Sequence, residues 1–188
     1  MRFVIVIVIT FWLCIISCDS TNKKRIPNLY VQNFDTALKK TNGQWQYNNE
    51  PFNGYIVEKS NDGKIILYQV PINDGIEEGW AFGNYNSGEK LMIRYYTKGK
   101  VEGLFTQWWP NGNKRYLFNY THGKMNGRQL VFYPNGQKHQ ESNYSKGDEE
   151  GIQRVWDENG RLISNYTIKN KKLYGVVNVK SCLPEGHH

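Results

Sequence analysis

Residues that favour helix are scarce in this chain. Alanine occurs twice in 188 residues, at Ala37 and Ala81. Hydrophobic residues make up only 39%. Strand and turn formers dominate, which excludes a helical bundle. Cysteine occurs three times, at Cys14, Cys18 and Cys182, too few for a disulfide scaffold. Aromatics are plentiful at 14%, which excludes a disordered chain. Gly (18) and Asn (21) supply many turn positions, and the formal net charge is +7. The length allows one domain or one short repeat array.

The one long apolar run is at the start. Met1-Arg2 is followed by FVIVIVITFWLCIIS, ending at Ser17. Fifteen residues are short for a bilayer span, which needs about 20, but they suit the apolar stretch of a signal peptide. Ile15-Ile16-Ser17-Cys18 then resembles the lipobox of bacterial lipoproteins, whose cysteine thiol is diacylated and whose chain is cut just before it. The resemblance implies a signal peptide over 1–17, a lipid on Cys18 and a place in the bacterial cell envelope, on a membrane face that the sequence leaves open. Removal of 17 residues leaves 171, and loss of Arg2 takes the charge to +6. Residues 18–42 read as a lipid-anchored tether and N-terminal cap. Lys23-Lys24-Arg25 is a solvated linker run or a contact for anionic head groups.

Internal repetition follows. Glycines stand at Gly54, Gly79, Gly103, Gly127, Gly151 and Gly175, spaced 25, 24, 24, 24 and 24. One unit is GLFTQWWPNGNKRYLFNYTHGKMN, residues 103–126. Each has a run of strand formers, a turn such as Pro-Asn-Gly, and a second run ending in tyrosine (Tyr96, Tyr120, Tyr144, with Tyr166 slightly shifted). A second turn with Gly-Lys or Gly-Asp closes it. The turn glycines Gly88, Gly112, Gly136 and Gly160 tolerate positive φ, so the Asn-Gly pairs are expected to make tight hairpins. No room is left for a helix. The expected fold is all-β: an elongated, twisted antiparallel sheet of repeated β-hairpins over 43–180, with units starting near 54, 79, 103, 127 and 151 and a tail over 181–188. Residues 43–53 read as a partial unit. Such an array is quasi-one-dimensional.

Side chains recur with the same period. Trp108, Phe132 and Trp156 share one column; Tyr85, Trp109 and Tyr133 share the next. The columns are a structural ladder, or a platform for a glycan or peptide. Lys98, Lys124 and Lys146 surround the second turns, and Lys90, Lys114 and Lys138 follow the first. Two lysine-rich rims would hold anionic partners, or would protect the sheet against aggregation. Trp108, Trp109, Phe132, Tyr133, Trp156, Lys98, Lys124 and Lys146 are therefore the candidate binding surface.

The pattern of Gly103, Trp108, Trp109, Asn111, Gly112, Tyr120, Gly123, Lys124 and Gly127 resembles the MORN repeat, and more closely its bacterial variant, which also occurs in antitoxin-like proteins of the YwqK family. The resemblance spans about 43–180. It implies an elongated sheet that scaffolds proteins or lipids, or an antitoxin or immunity role that sequesters a toxin.

No nucleophile elbow, phosphate loop or paired-carboxylate motif stands out, so the chain reads as a non-enzyme without cofactor. His122 falls in a turn, and His139 follows Lys138 with no Asp or Cys to match. His187, His188 and Cys182 make a poor ligand set, and no metal is expected. Asp148-Glu149-Glu150 reads as a solvated turn or a calcium contact. Asn119, Asn143 and Asn165 match the glycosylation sequon, but the repeat generates them automatically. The expected partners are a membrane, through the lipid, and a protein or glycan; an exported chain is not expected to meet nucleic acid.

Overall fold

The computed structural model describes residues 26–176, and every element among them is a strand. Residues 1–17, expected as a signal peptide, Cys18, Lys23-Lys24-Arg25, Cys182, the histidines 187–188 and the tail 181–188 lie outside the described residues. After β1 (Tyr30–Gln32), β2 (Leu38–Thr41), β3 (Gln44–Tyr47) and β4 (Glu50–Pro51) form a small antiparallel sheet. The long sheet begins with β5 (Gly54–Lys59) and β6 (Ile66–Asn73). It continues through β7 (Ile76–Glu77), β8 (Gly79–Asn84), β9 (Lys90–Thr97), β10 (Lys100–Trp108) and β11 (Lys114–Thr121). Next come β12 (Lys124–Met125), β13 (Gly127–Phe132), β14 (Lys138–Ser145) and β15 (Asp148–Glu149). It closes with β16 (Gly151–Trp156), β17 (Leu162–Lys169) and β18 (Lys172–Val176).

The long sheet has fifteen strands in the order β1-β5-β6-β8-β9-β10-β11-β13-β14-β16-β17-β18, with β7, β12 and β15 paired to β6, β11 and β14. Twelve strands side by side extend roughly 50 Å. The repeat fold expected from the glycine spacing is present. One pairing departs from the antiparallel expectation: β1 runs parallel to β5. Residues 33–53 lie between these two strands, enough for a crossover where a hairpin would have forced an antiparallel pair. Those residues hold the small sheet, and 43–53 supply its β3 and β4.

The turns also divide differently from expectation. In the Pro-Asn-Gly turn, Gly112 N–H donates to Trp109 O (2.9 Å) and Trp109 N–H to Asn113 O (2.8 Å), with only the glycine at positive φ (83°). This is a three-residue loop with a glycine bulge. The two-residue turns with positive φ at both centres are the second set: Lys98-Gly99 (50°, 73°), His122-Gly123 (52°, 79°) and Lys146-Gly147 (53°, 97°). They reverse the chain so tightly that the short strands β12 and β15 fold straight back onto β11 and β14. Gly79, Gly103, Gly127 and Gly151 then break the ladder, as Gly127 does between β12 and β13 with φ of 80°, whereas Gly175 stays paired with Tyr166 inside β18.

Alternation gives the sheet two faces. Val31, Ile56, Val70, Ile72 and Ala81 share one, and Leu38, Phe52, Trp45 and Tyr47 of the small-sheet region pack on it. Ile72 and Ala81 are completely buried. Each such aliphatic contributes about 1.5–3 kcal/mol for a Val- or Ile-sized side chain. The small sheet is docked by backbone: Trp45 N–H donates to Gly75 O and Gly75 N–H to Phe52 O, both at 2.8 Å. A Cβ on Gly75 would stand 2.8 Å from Trp45 O, so the approach requires glycine. Beyond this end no described element covers either face; the face away from the small sheet carries Trp80, Leu104 and Ile152 exposed. It is called the open face below.

Candidate binding surface

The repeats are joined by side chains that reach one repeat onward. On the first rim, Tyr85 O–H donates to Trp108 O (2.7 Å), Trp109 Nε1–H to Phe132 O (3.0 Å) and Tyr133 O–H to Trp156 O (3.0 Å). Arg115 lies over the Trp109 ring at 4.3 Å, and His139 meets Tyr133 edge-on at 4.4 Å. Trp109 and Tyr133 are therefore half-buried couplers between repeats. Trp108, Phe132 and Trp156 fall on the open face, opposite Lys114, Lys138 and Leu162. Lys138 sits 4.8 Å above the Trp156 ring and 2.8 Å from Glu141. The hydrogen bond and charge of Lys138 hold the Glu141 carboxyl below the usual range against the opposing effect of burial.

The second rim carries a column that sequence reasoning missed. Lys98 N–H donates to Glu78 Oε2 (2.7 Å), His122 N–H to Glu102 Oε2 (2.7 Å), Lys146 N–H to Asn126 Oδ1 (3.1 Å) and Asn170 N–H to Glu150 Oε2 (3.3 Å). The acceptor always stands immediately before a repeat glycine, which was the available signal. Lys98, Lys124 and Lys146 are exposed on this rim. The carboxylates interleave with them, so the rim is mixed in sign and not a pure cation stripe. Asp148-Glu149-Glu150 is likewise engaged: Asp148 pairs with Lys171 (3.4 Å), and Glu149 accepts from Tyr144 O–H (3.2 Å). Among the described residues no three His, Cys, Asp or Glu side chains gather as a metal site.

On the face opposite the open one, Gln129 and Gln153 were also missed. They are 3% and 2% exposed. Gln129 accepts from Asn119 N–H at 2.7 Å and donates to Asn119 O and Gly127 O, both at 3.1 Å. The side-chain amide thus takes the place of a backbone peptide where β11 and β13 diverge after two paired residues. The sequon asparagines complete the joint: Asn119 and Asn143 donate Nδ2–H to Arg128 O and Ile152 O, both at 2.6 Å. Tyr96, Tyr120, Tyr144 and Tyr166 border this face. Burial is the leading cause that pushes all four phenols up, so they stay neutral throughout the physiological range.

The open face carries one row that crosses every strand of the long path. Register links Tyr30, Tyr55 and Pro71, then Trp80 with Tyr95, Leu104 with Asn119, Arg128 with Asn143, and Ile152 with Thr167 and Tyr174. Tyr30 and Tyr55 stack at 5.1 Å and 17°, while Trp80 and Tyr95 meet at 5.0 Å and 65°. Trp80 is 56% exposed, Tyr30 50%, Leu104 47% and Ile152 40%. These residues follow the repeat glycines or pair with residues that do. They escaped notice because the aromatic columns at the first turn are more conspicuous in sequence.

Residues 101–122 and 125–146 match the model of the MORN repeat variant. No curated protein matches the chain. The two matched segments contain β11 and β14 and end on His122 and Lys146, the first residues of their second turns. MORN repeats are generally protein- or lipid-binding modules, and their all-β fold is typically non-enzymatic.

Proposed function

We propose that this chain is an envelope-anchored, non-enzymatic binding array, tethered by a lipid on Cys18, whose long sheet offers its open face to a protein or glycan partner. The observation that carries the reading is the repetition of large exposed apolar side chains, Trp80, Leu104 and Ile152, at one register of that face. Isolated exposed apolar residues need no explanation, but an aligned row is a contact surface. The polar side chains that join the repeats are already committed to one another, which leaves this face, not the joints, for recognition. Trp108, Phe132 and Trp156 extend the same face toward the first rim.

Two measurements test the reading. Labelling with a palmitate analogue should mark the wild type and fail in Cys18→Ala; an unlabelled wild type removes the anchor. A photoreactive side chain at position 104 should give a discrete adduct in cells, whereas one at position 135, on the first rim, should not. Equal labelling at both positions would dismiss the open face as the contact surface.

A further inference from the structure

The row on the open face has a chemical gradient along it. Its first third is aromatic and uncharged: Tyr30 stacked on Tyr55, then Trp80 packed against Tyr95. Further along stands Arg128, exposed and without an ion pair among the described residues. The carboxylate one register step away, Glu141, is held by Lys138. Tyr55, Trp80, Leu104 and Arg128 recur every second strand, a step of about 10 Å.

From this placement we propose that the row binds an extended, β-linked acidic polysaccharide, with a sugar ring stacked on Trp80 and a carboxylate paired to Arg128. The proposal rests on the reading of the open face as the contact surface and names its ligand class. A pyranose presents polarised C–H groups on its flat face, and these suit the negative face of an aromatic ring. In an extended β-1,4-linked glycan, alternate residues turn the same face to one side, so a platform that repeats every second strand meets equivalent sugars. A guanidinium gives a bidentate seat for a carboxylate. Charge selects the acidic polymer over a neutral one, because Arg128 is exposed and no carboxylate among the described residues is in direct contact with it; Glu141 feels it only as a neighbouring charge while bonded to Lys138. A protein partner would need no such register.

The test uses a β-1,4-linked mannuronate hexamer and the neutral glucan hexamer as probes, titrated into the purified chain by calorimetry. The mannuronate hexamer should bind, and its affinity should fall as salt rises. Trp80→Ala should weaken it by about tenfold or more, while Trp80→Phe should retain most of the affinity. Arg128→Gln should weaken mannuronate by roughly tenfold and leave the weaker glucan binding unchanged. Trp80 and Arg128 are exposed, so the variants should keep the wild-type urea midpoint. Absence of mannuronate binding would overturn the proposal, as would binding indifferent to Trp80→Ala. Self-association that Trp80→Ala abolishes, with no glycan bound, would assign the row to a second copy instead. A cellular protein adduct at position 104 alongside failed glycan titrations would sink the glycan and spare the open face.

Discussion

Replacing Gln129 by leucine tests how the repeats are joined. The two side chains are similar in volume, so packing changes little. The wild-type amide makes three close hydrogen bonds, to Asn119 N–H, Asn119 O and Gly127 O. Their loss costs about 1 kcal/mol each. Asn119 O retains Asn126 N–H at 2.9 Å, but Asn119 N–H loses its side-chain acceptor. The apolar gain from burying leucine returns about 1 kcal/mol. Destabilisation of about 2 kcal/mol is expected, a fall in Tm of roughly 4–8 °C. Because an array can open repeat by repeat, the sharper assay is hydrogen exchange at the Asn119 amide, which should quicken by about thirtyfold. The rival idea is that the site only wants volume; Phe105 fills the equivalent position one repeat earlier. On that idea Gln129→Leu is neutral or stabilising, and an unchanged Asn119 exchange rate would refute the bridging account. Gln129→Glu sharpens the contrast. A carboxyl buried against two carbonyls has its folded pKa raised, so its penalty is absent below the ordinary glutamate pKa and grows as pH rises toward the folded value.

Glu77 pins the small sheet to the long one, accepting from Lys40 Nζ and Trp45 Nε1, each at 2.9 Å. Burial pushes its carboxyl up, but these two donors outweigh it and the net pKa is lowered. Its contribution is therefore complete above the ordinary glutamate range and is lost as pH falls through the lowered folded value; Trp45 fluorescence should report weaker docking there, and Glu77→Gln should flatten that acid response. Trp109→Phe removes the indole donor to Phe132 O and should lower stability by about 1–2 kcal/mol in urea unfolding; no change would mean that the rim aromatics do not couple repeats. Lys146 holds φ of 53°, so Lys146→Val should destabilise by about 1–2 kcal/mol, while Lys146→Asn should be neutral or slightly stabilising by the same measurement.

The 24-residue spacing of glycines and the absence of helix formers were enough to predict hairpins stacked in register, because strand, turn and period are local properties. The column of Tyr85, Trp109 and Tyr133 was legible for the same reason, since equal spacing puts equivalent residues side by side. What each column does was not. Whether Trp109 lies open or donates to the next repeat depends on a carbonyl 23 residues away. The Asn-Gly turns looked like the tight ones, yet the second turns reverse most sharply, since Lys98, His122 and Lys146 are held at positive φ partly by acceptors 20 residues back. Gln129 and Gln153 looked like ordinary polar strand residues, and only the divergence of neighbouring strands makes them substitutes for backbone.

The sequence by itself determined the repeat, its period and the alternation that gives the sheet two faces, since these follow from side-chain chemistry within one hairpin. Tertiary structure alone decided that β1 joins in parallel, that the small sheet packs on the first strands of one face, and that the row from Tyr30 to Tyr174 lies on the other. Those outcomes depend on which distant backbone groups find partners, and a pattern read along the chain contains no term for that.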